Sequence, residues 1–316
     1  MKIVLIANAS ASSVTARTRV VIQKALSADH DVELRETARR GHATRIAKGA
    51  AAEGVDIVAV LGGDGTLNEA ANGIVGTNTA LAPIPGGSTN VFARTLGLPE
   101  DPVHATALTL EAIDSQSIRS IGLGSANERY FLFHIGVGFD AAVVEQVEKR
   151  GHLKRYAGHA FFAWAGFDTW VRHFDRKNPH FTVEYDNGAV IDDGYFAICL
   201  NTDPYTYLGT RPFTVVPGAT LDTPLSLVTL RSLSAFNLTK LMMKSLSNPD
   251  GVTTGRGVDV RNDVTSARIT SDTAFPYQLD GDYLGDVTSI DLRWRPDAIR
   301  LVVPDGRHVP RPDDIL

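Results

Sequence analysis

The stretch Val55-Asp56-Ile57-Val58-Ala59-Val60-Leu61-Gly62-Gly63-Asp64-Gly65-Thr66-Leu67-Asn68-Glu69 decides the reading of this chain. Its first half is a continuous apolar run, the pattern of a strand buried on both faces. The run enters a glycine turn, and a helix follows. Three glycines surround Asp64 at the mouth of that turn. Glycine carries no Cβ, so its backbone adopts positive φ and approaches a ligand closely. The helix start offers unpaired N–H groups and the positive end of its dipole, which suits a phosphate. A carboxylate there would repel phosphate unless it handles a Mg²⁺ ion that the phosphate brings, or takes a proton from an attacking hydroxyl.

A second turn of the same kind follows. Leu81-Ala82-Pro83-Ile84 reads as a short strand, Pro85-Gly86-Gly87-Ser88-Thr89-Asn90 as a turn, and Val91-Phe92-Ala93-Arg94 as a helix start. Two phosphate-type loops on successive strands imply a shared crevice, where open α/β sheets place their ligands. Gly62 to Glu69 together with Pro85 to Arg94 resembles the catalytic domain of the diacylglycerol kinase and sphingosine kinase family, with bacterial lipid kinases closest in layout. The resemblance covers nearly the whole chain. It implies an N-terminal α/β domain over 1–122 with a parallel sheet like those of NAD kinases and phosphofructokinases. It also implies a mainly antiparallel β-sandwich over 123–316, whose last strand can return to the first domain.

The pattern along the chain agrees with that division. Strands alternate with helices to about residue 120, which argues for a parallel sheet with right-handed crossovers. Short β candidates follow at 130–135, 181–185, 195–200, 214–216, 225–230, 258–261, 267–270, 288–292 and 299–303. Gly, Pro, Asn and Asp separate them, the texture of an antiparallel sandwich. One helical insert is expected at about 157–173.

Composition narrows the function. A 316-residue chain, 43% hydrophobic and 21% charged, is ordinary for a soluble globular protein. A net charge of −5 argues against a general nucleic-acid binder. Cys199 is the single cysteine and lies in the apolar run Phe196-Ala197-Ile198-Cys199-Leu200, as a buried structural thiol would. The N-terminus lacks the pattern of a signal peptide. The expected setting is cytoplasmic, with peripheral membrane contact if the substrate is a lipid.

The resemblance assigns roles. ATP and Mg²⁺ are the expected cofactors and a lipid alcohol, diacylglycerol or a relative, the acceptor. A homodimer is left open. Asn8, Ser10 and Ser12 correspond to the first nucleotide loop, although Asn8-Ala9-Ser10-Ala11-Ser12 lacks the family's proline and glycine. Thr37 matches a threonine near the nucleotide. Gly62, Gly63, Asp64, Gly65, Thr66, Leu67 and Asn68 form the central loop, and Gly87, Ser88 and Asn90 the next. Glu69 reads as an acid placed near its own helix start, and Arg94 as a phosphate contact or a partner for a surface acid. Asp64 doubles as catalytic and metal-handling carboxylate. Asp282, in Asp280-Gly281-Asp282, stands where the family carries the glutamate proposed as general base. An aspartate there is shorter by one C–C bond, roughly 1.5 Å. Asp280-Gly281 is also a strong hairpin dipeptide. Asp222, in Val216-Pro217-Gly218-Ala219-Thr220-Leu221-Asp222, corresponds to a structural Mg²⁺ segment whose pattern has drifted. Gly136-Val137-Gly138-Phe139-Asp140 matches a further signature, with its glycines expected at a close approach. Lys149 to Lys177 combines basic residues with an aromatic helix, an arrangement suited to an anionic lipid surface or to packing between domains.

Alternatives of two kinds remain at this point. One is an NAD kinase, which shares the first loop. The other is a catalytically weak lipid-binding protein, motivated by the departures at Ala9, Val91, Thr223 and Asp282.

Overall fold

The run at Val55 forms β3 (Ile57–Gly62), in which all six residues are buried. In the computed structural model, residues 1–9, 11, 13–149, 166, 168–170, 174–175, 178–247 and 250–304 are described. Ser10, Ser12 and most of the 149–177 segment therefore lie outside the described residues. The chain divides into two units. The first holds residues 1–123, 220–222 and the stretch from Arg295 onward; the second holds 124–219 and 223–294.

In the first unit β3 is flanked by β1 (Lys2–Ala7) and β4 (Ala80–Pro85), and β1 by β2 (Asp31–Glu36), all parallel. The order is β2-β1-β3-β4, and Arg300 and Leu301 pair with β4 on its far side, also parallel. Helices α1 (Ala16–Leu26), α2 (His42–Ala52), α3 (Asp64–Ile74), α4 (Val91–Thr95) and α5 (Pro102–Asp114) connect or cover the strands. One core cluster joins Ile3, Leu5, Ile57, Leu61, Ala82 and Ile84 of the sheet to Ile22 and Leu26 of α1. Burying side chains of this kind contributes about 1.5–3 kcal/mol each. Each helix start has its own solution: Thr15 accepts from the Thr18 N–H, and Asp101 from the His104 N–H at 2.7 Å.

In the second unit the strands are antiparallel. β7 (His134–Gly138), β10 (Phe196–Leu200), β13 (Leu225–Leu230) and β14 (Val258–Val264) form one row. The long strand β15 (Ser266–Leu279) pairs with β7 through residues 277–279 and with β8 (Phe181–Tyr185) through 267–270. Its register shifts between Thr270 and Phe275, so one strand serves two rows. β9 (Val190–Gly194) extends the second row. Ile135, Val137, Cys199 and Leu227 share a core with Val183, Ile191, Ile269 and Phe275, and Phe131 of β6 (Arg129–Phe131) joins it. The alternate side chains Phe196, Ile198, Val228 and Leu230 enter a different core with Leu233 and Leu241. The Cys199 thiol is buried, which raises its pKa and leaves it inert.

Two local expectations change. Thr214–Val216 is not a strand, because the N–H groups of Val215 and Val216 bond to the Asp203 carboxylate at 2.7 and 3.0 Å instead of to a neighbouring strand. The strand in this region is β12 (Arg211–Phe213), paired with β11 (Thr206–Leu208). In addition to α6 (Phe139–Lys149), Ala235–Ser247 forms a 13-residue helix, α7, that the strand-by-strand reading misses. Its signal was readable: Asn237, Leu241 and Ser245, spaced by four, are its buried face. No helix among the described residues is long and apolar enough to cross a membrane.

Candidate active site

The register of the first sheet collects the expected loops at one edge. Ala7 lies opposite Leu61 and Glu36, and Gly62 opposite Pro85. Asn8, Thr37, Gly63 and Gly86 therefore all follow carboxyl ends of adjacent parallel strands. The chain leaves β1 towards β2 on one side and β3 on the other, the switch point at which open α/β sheets bind ligands. There Asn8 Nδ2 donates to Thr66 Oγ1 at 2.9 Å, tying the first loop to the helix after the second. Thr37 is half-buried, its N–H bonded to the Ala7 carbonyl at 2.9 Å.

The glycines in these loops let two backbones touch. The Gly86 N–H donates to the Gly62 carbonyl at 2.9 Å. A Cβ on Gly87 would lie 2.7 Å from Gly63 Cα, and one on Gly86 would lie 2.7 Å from Val14 and 3.0 Å from the Gly62 nitrogen. Asn90 closes the second loop on itself. It sits at φ 49°, is 5% exposed, accepts from the Gly87 N–H at 2.8 Å and donates to the Gly87 carbonyl at 3.0 Å. Ser88 is the exposed member of that loop. The cavity under the two loops measures only about 10 Å³ and is lined by Gly62, Gly63, Asp64 and Asn90 among others. That is room for about one water, so a nucleotide would lie over the loops rather than beneath them.

Asp64 is the hinge of this arrangement. It opens α3, and its two carboxylate oxygens accept from the N–H groups of Val91 and Phe92 at 3.0 and 3.2 Å. Those are the first N–H groups of α4, whose preceding residue, Asn90, supplies no cap of its own. Glu69 does the same for α2: its oxygens accept from Gly41 and Ala43 at 2.6 and 3.1 Å, where Gly41 has no side chain to cap with. Both acids of the Gly62–Glu69 stretch thus bond to helix starts elsewhere in the chain. For Glu69 this replaces the expected role at its own helix. Leu67 and Asn68 are 4% and 1% exposed, so they offer packing beneath the loop rather than surface for a ligand. Arg94 forms an ion pair with Glu100 at 2.9 Å.

The donor set bears on magnesium. No group of three or more His, Cys, Asp or Glu side chains able to hold a metal occurs among the described residues. Mg²⁺ is nonetheless commonly held by one or two carboxylates plus substrate phosphates, and Asp64 at the phosphate-type loops fits that mode. One Asp222 oxygen is ion-paired with Arg119, so a cation there would have to share or displace that partner.

A second group of polar residues lies wholly in the second unit. Asp280 and Gly281 both have positive φ, 49° and 83°, as a two-residue I′ hairpin turn requires. Leu279 and Asp282 flank the turn in register, and Asp282 starts β16 (Asp282–Val302). Asp280 does more than turn the chain. It is 4% exposed and accepts from the N–H groups of Leu132, Phe133 and His134 at 2.8, 3.0 and 3.1 Å. Behind the turn, the Gly281 N–H donates to Gln278 Oε1 at 2.8 Å, and Gln278 Nε2 donates to Asp140 at 2.8 Å. The second Asp140 oxygen accepts from the Tyr205 hydroxyl at 2.5 Å. Burial raises the Asp140 pKa, opposed by the bonds from Tyr205 and Gln278. Gly136 is forced here, since a Cβ would fall 1.7 Å from Asp140 Oδ2. The match of Asp140 to a family signature thus acquires a physical role: through Gln278 it braces the turn before Asp282. His134, stacked at 4.2 Å on Tyr205, is pushed down to about 3 by burial.

The chain is 36% identical over 120 residues to "Diacylglycerol kinase" of Bacillus subtilis (strain 168), covering 37% of this chain and 39% of that protein. It is 32% identical over 169 residues to "Diacylglycerol kinase" of Staphylococcus haemolyticus (strain JCSC1435), covering 53% and 48%. The matches thus span about half the length of these relatives or less. In three dimensions the fold resembles a crystal structure described as a diacylglycerol kinase from Bacillus anthracis str. Sterne, with TM-score 0.70, 21% identity and coverage of 96% and 97%. It also resembles an NAD kinase from Archaeoglobus fulgidus in complex with ATP, with TM-score 0.52, 10% identity and coverage of 96% and 94%. Residues 2–126 match the family described as "Diacylglycerol kinase catalytic domain".

Proposed function

We propose that the protein is an ATP-dependent lipid kinase, transferring the γ-phosphate of ATP to the hydroxyl of diacylglycerol or a related lipid alcohol at a membrane surface. The observation that carries this reading is the catalytic-domain match over 2–126, which contains both glycine loops that Asp64 ties together. Phosphoryl transfer needs little covalent chemistry from the protein; positioning and charge stabilisation dominate. The packed loops and the start of α3 would supply backbone N–H groups for the nucleotide phosphates, while the first N–H groups of α4 are held by Asp64. Mg²⁺, when bound at Asp64, would neutralise charge on those phosphates.

Asp282 is the general base in this reading and takes the proton from the lipid hydroxyl. The turn before it is braced by Asp280 and Gln278, so the shorter reach of its side chain would have to be met by the position of the acceptor hydroxyl. The test is transfer of labelled phosphate from ATP to a panel of diacylglycerol, sphingoid bases, extracted lipids and NAD. Label in a lipid is expected; label in NAD alone would replace the reading with an NAD kinase, and binding of lipid without turnover would make the protein regulatory. Asp282→Asn should lower kcat about 10²–10⁴-fold, with ATP affinity retained, and Asp282→Glu should retain substantial activity. Near-normal kcat in Asp282→Asn would leave Asp282 as a hairpin residue only.

A further inference from the structure

A cavity in the second unit is remote in sequence from every motif above. It holds about 530 Å³ and is lined by Arg231, Ser234, Phe236, Lys240, Arg256 and Asp193, with three smaller contributors. That size lies in the range of small-ligand sites. Arg231 is answered by Asp193 at 2.5 Å, with Asp192 and Asp259 also near it. Lys240 and Arg256 have no acidic partner among the described residues. Arg231, Lys240 and Arg256 against Asp193 give the lining itself a positive excess on a chain of net charge −5, which Asp192 and Asp259 reduce on the Arg231 side.

The helix that forms one wall, α7 (Ala235–Ser247), has two unlike faces. Asn237, Leu241 and Ser245 are buried. On the other side Phe236 is 75% exposed, Met243 60% and Met242 50%, and Lys240 stands between Phe236 and Met243. Spacings of four and three place Phe236, Lys240 and Met243 on one stripe. Single exposed apolar residues are unremarkable. An exposed aromatic and a methionine aligned with a lysine, with Met242 flanking them beside a pocket lined by cations, are the pattern of a helix lying in a membrane interface.

We propose that α7 and this pocket dock the second unit on an anionic phospholipid surface. Lys240 and Arg256 take a headgroup phosphate, and Phe236 and Met243 enter the acyl boundary. The purpose of such docking rests on the lipid-kinase reading, but the binding does not, so the two are tested apart.

The test is sedimentation of the full chain, without nucleotide, with vesicles of phosphatidylcholine alone or mixed with phosphatidylserine. Binding should favour the mixed vesicles and fall with added salt. Lys240→Ala with Arg256→Ala should weaken binding to mixed vesicles about 25-fold, about fivefold for each basic residue near the surface. Phe236→Ser with Met243→Ser should weaken it at least about tenfold on both vesicle types. All four side chains are at the surface, so the melting temperature should not move. Transfer to a detergent-dispersed acceptor should be unchanged in both variants, while transfer on vesicles falls. Absence of transfer to any acceptor would overturn the kinase reading and leave the docking result standing. Wild-type vesicle binding in both double variants overturns the docking proposal. So does binding of inorganic phosphate by Lys240 and Arg256 without vesicle binding, or a solution dimer that Met243→Glu dissolves.

Discussion

Asp64→Asn is the substitution a kinase reading calls for first, and the structure predicts that it will not be structurally silent. The wild-type carboxylate accepts two N–H groups at once, from Val91 and Phe92. An asparagine keeps one carbonyl oxygen and turns an NH₂ group towards the other N–H. Loss of a helix cap costs about 0.5–2 kcal/mol, and a donor left without a partner about 1–3 kcal/mol. These overlap, so the expected destabilisation is about 1–3 kcal/mol in total. For domains of this size a kcal/mol moves the melting temperature by about 2–4 °C. The shift should be visible by calorimetry or in the midpoint of urea unfolding, with an unchanged m-value. Activity should be nearly abolished, and the Michaelis constant for ATP should rise because the two loops are no longer tied. Unchanged stability with lost activity would refute the capping argument and leave Asp64 a purely catalytic carboxylate. Undiminished activity would refute the functional assignment itself.

Other expectations follow from the same coordinates. Gly87→Ala places a methyl 2.7 Å from the Gly63 backbone, so it should cost about 1–3 kcal/mol; Gly63→Ala, at 3.3 Å, should cost less, and urea unfolding that ranks them otherwise would contradict the close approach. Asp140→Ala should leave the Gln278 amide and the Tyr205 hydroxyl without their acceptor and loosen the turn before Asp282. It should lower kcat up to about a hundredfold, as a misplacement of order 1 Å can, leaving the Michaelis constant for ATP unchanged; an equal effect on both would mark a purely structural role. Acid sensitivity is set by two groups of opposite sign. Burial raises Asp203 from 3.8 to about 6, so its contribution favours the folded state below 3.8 and is lost as pH rises through 6. Burial lowers His134 from 6.5 to about 3, so its contribution is present above 6.5 and is lost as pH falls. Between pH 6 and 4 the two oppose each other. Asp203→Asn should therefore make the protein lose about 2–3 kcal/mol more than wild type over that interval, measured by urea unfolding at each pH, and parallel pH profiles would refute it.

The sequence alone determined what depends on near neighbours. Continuous apolar runs marked β1, β3 and β4 as strands buried on both faces, because burial is written in the period and polarity of adjacent residues. Glycine pairs marked the loops, because absent Cβ atoms are needed wherever backbones approach, although the partner at Gly87 is the backbone of Gly63. Strand–helix alternation called for a parallel sheet with right-handed crossovers, but its order β2-β1-β3-β4, which brings Asn8, Thr37, Gly63 and Gly86 to one edge, was decided by tertiary structure. The α7 helix was legible in principle but was hidden among strand candidates by its exposed methionines and phenylalanine. What each carboxylate bonds to was decided by tertiary structure. Asp64 reaches residues 91 and 92, Glu69 residues 41 and 43, Asp280 residues 132 to 134, and Asp140 residues 205 and 278. A hydrogen bond is satisfied by any donor that the fold delivers within about 3 Å. Sequence patterning records whether a side chain meets water or core; it carries no address for a partner far along the chain.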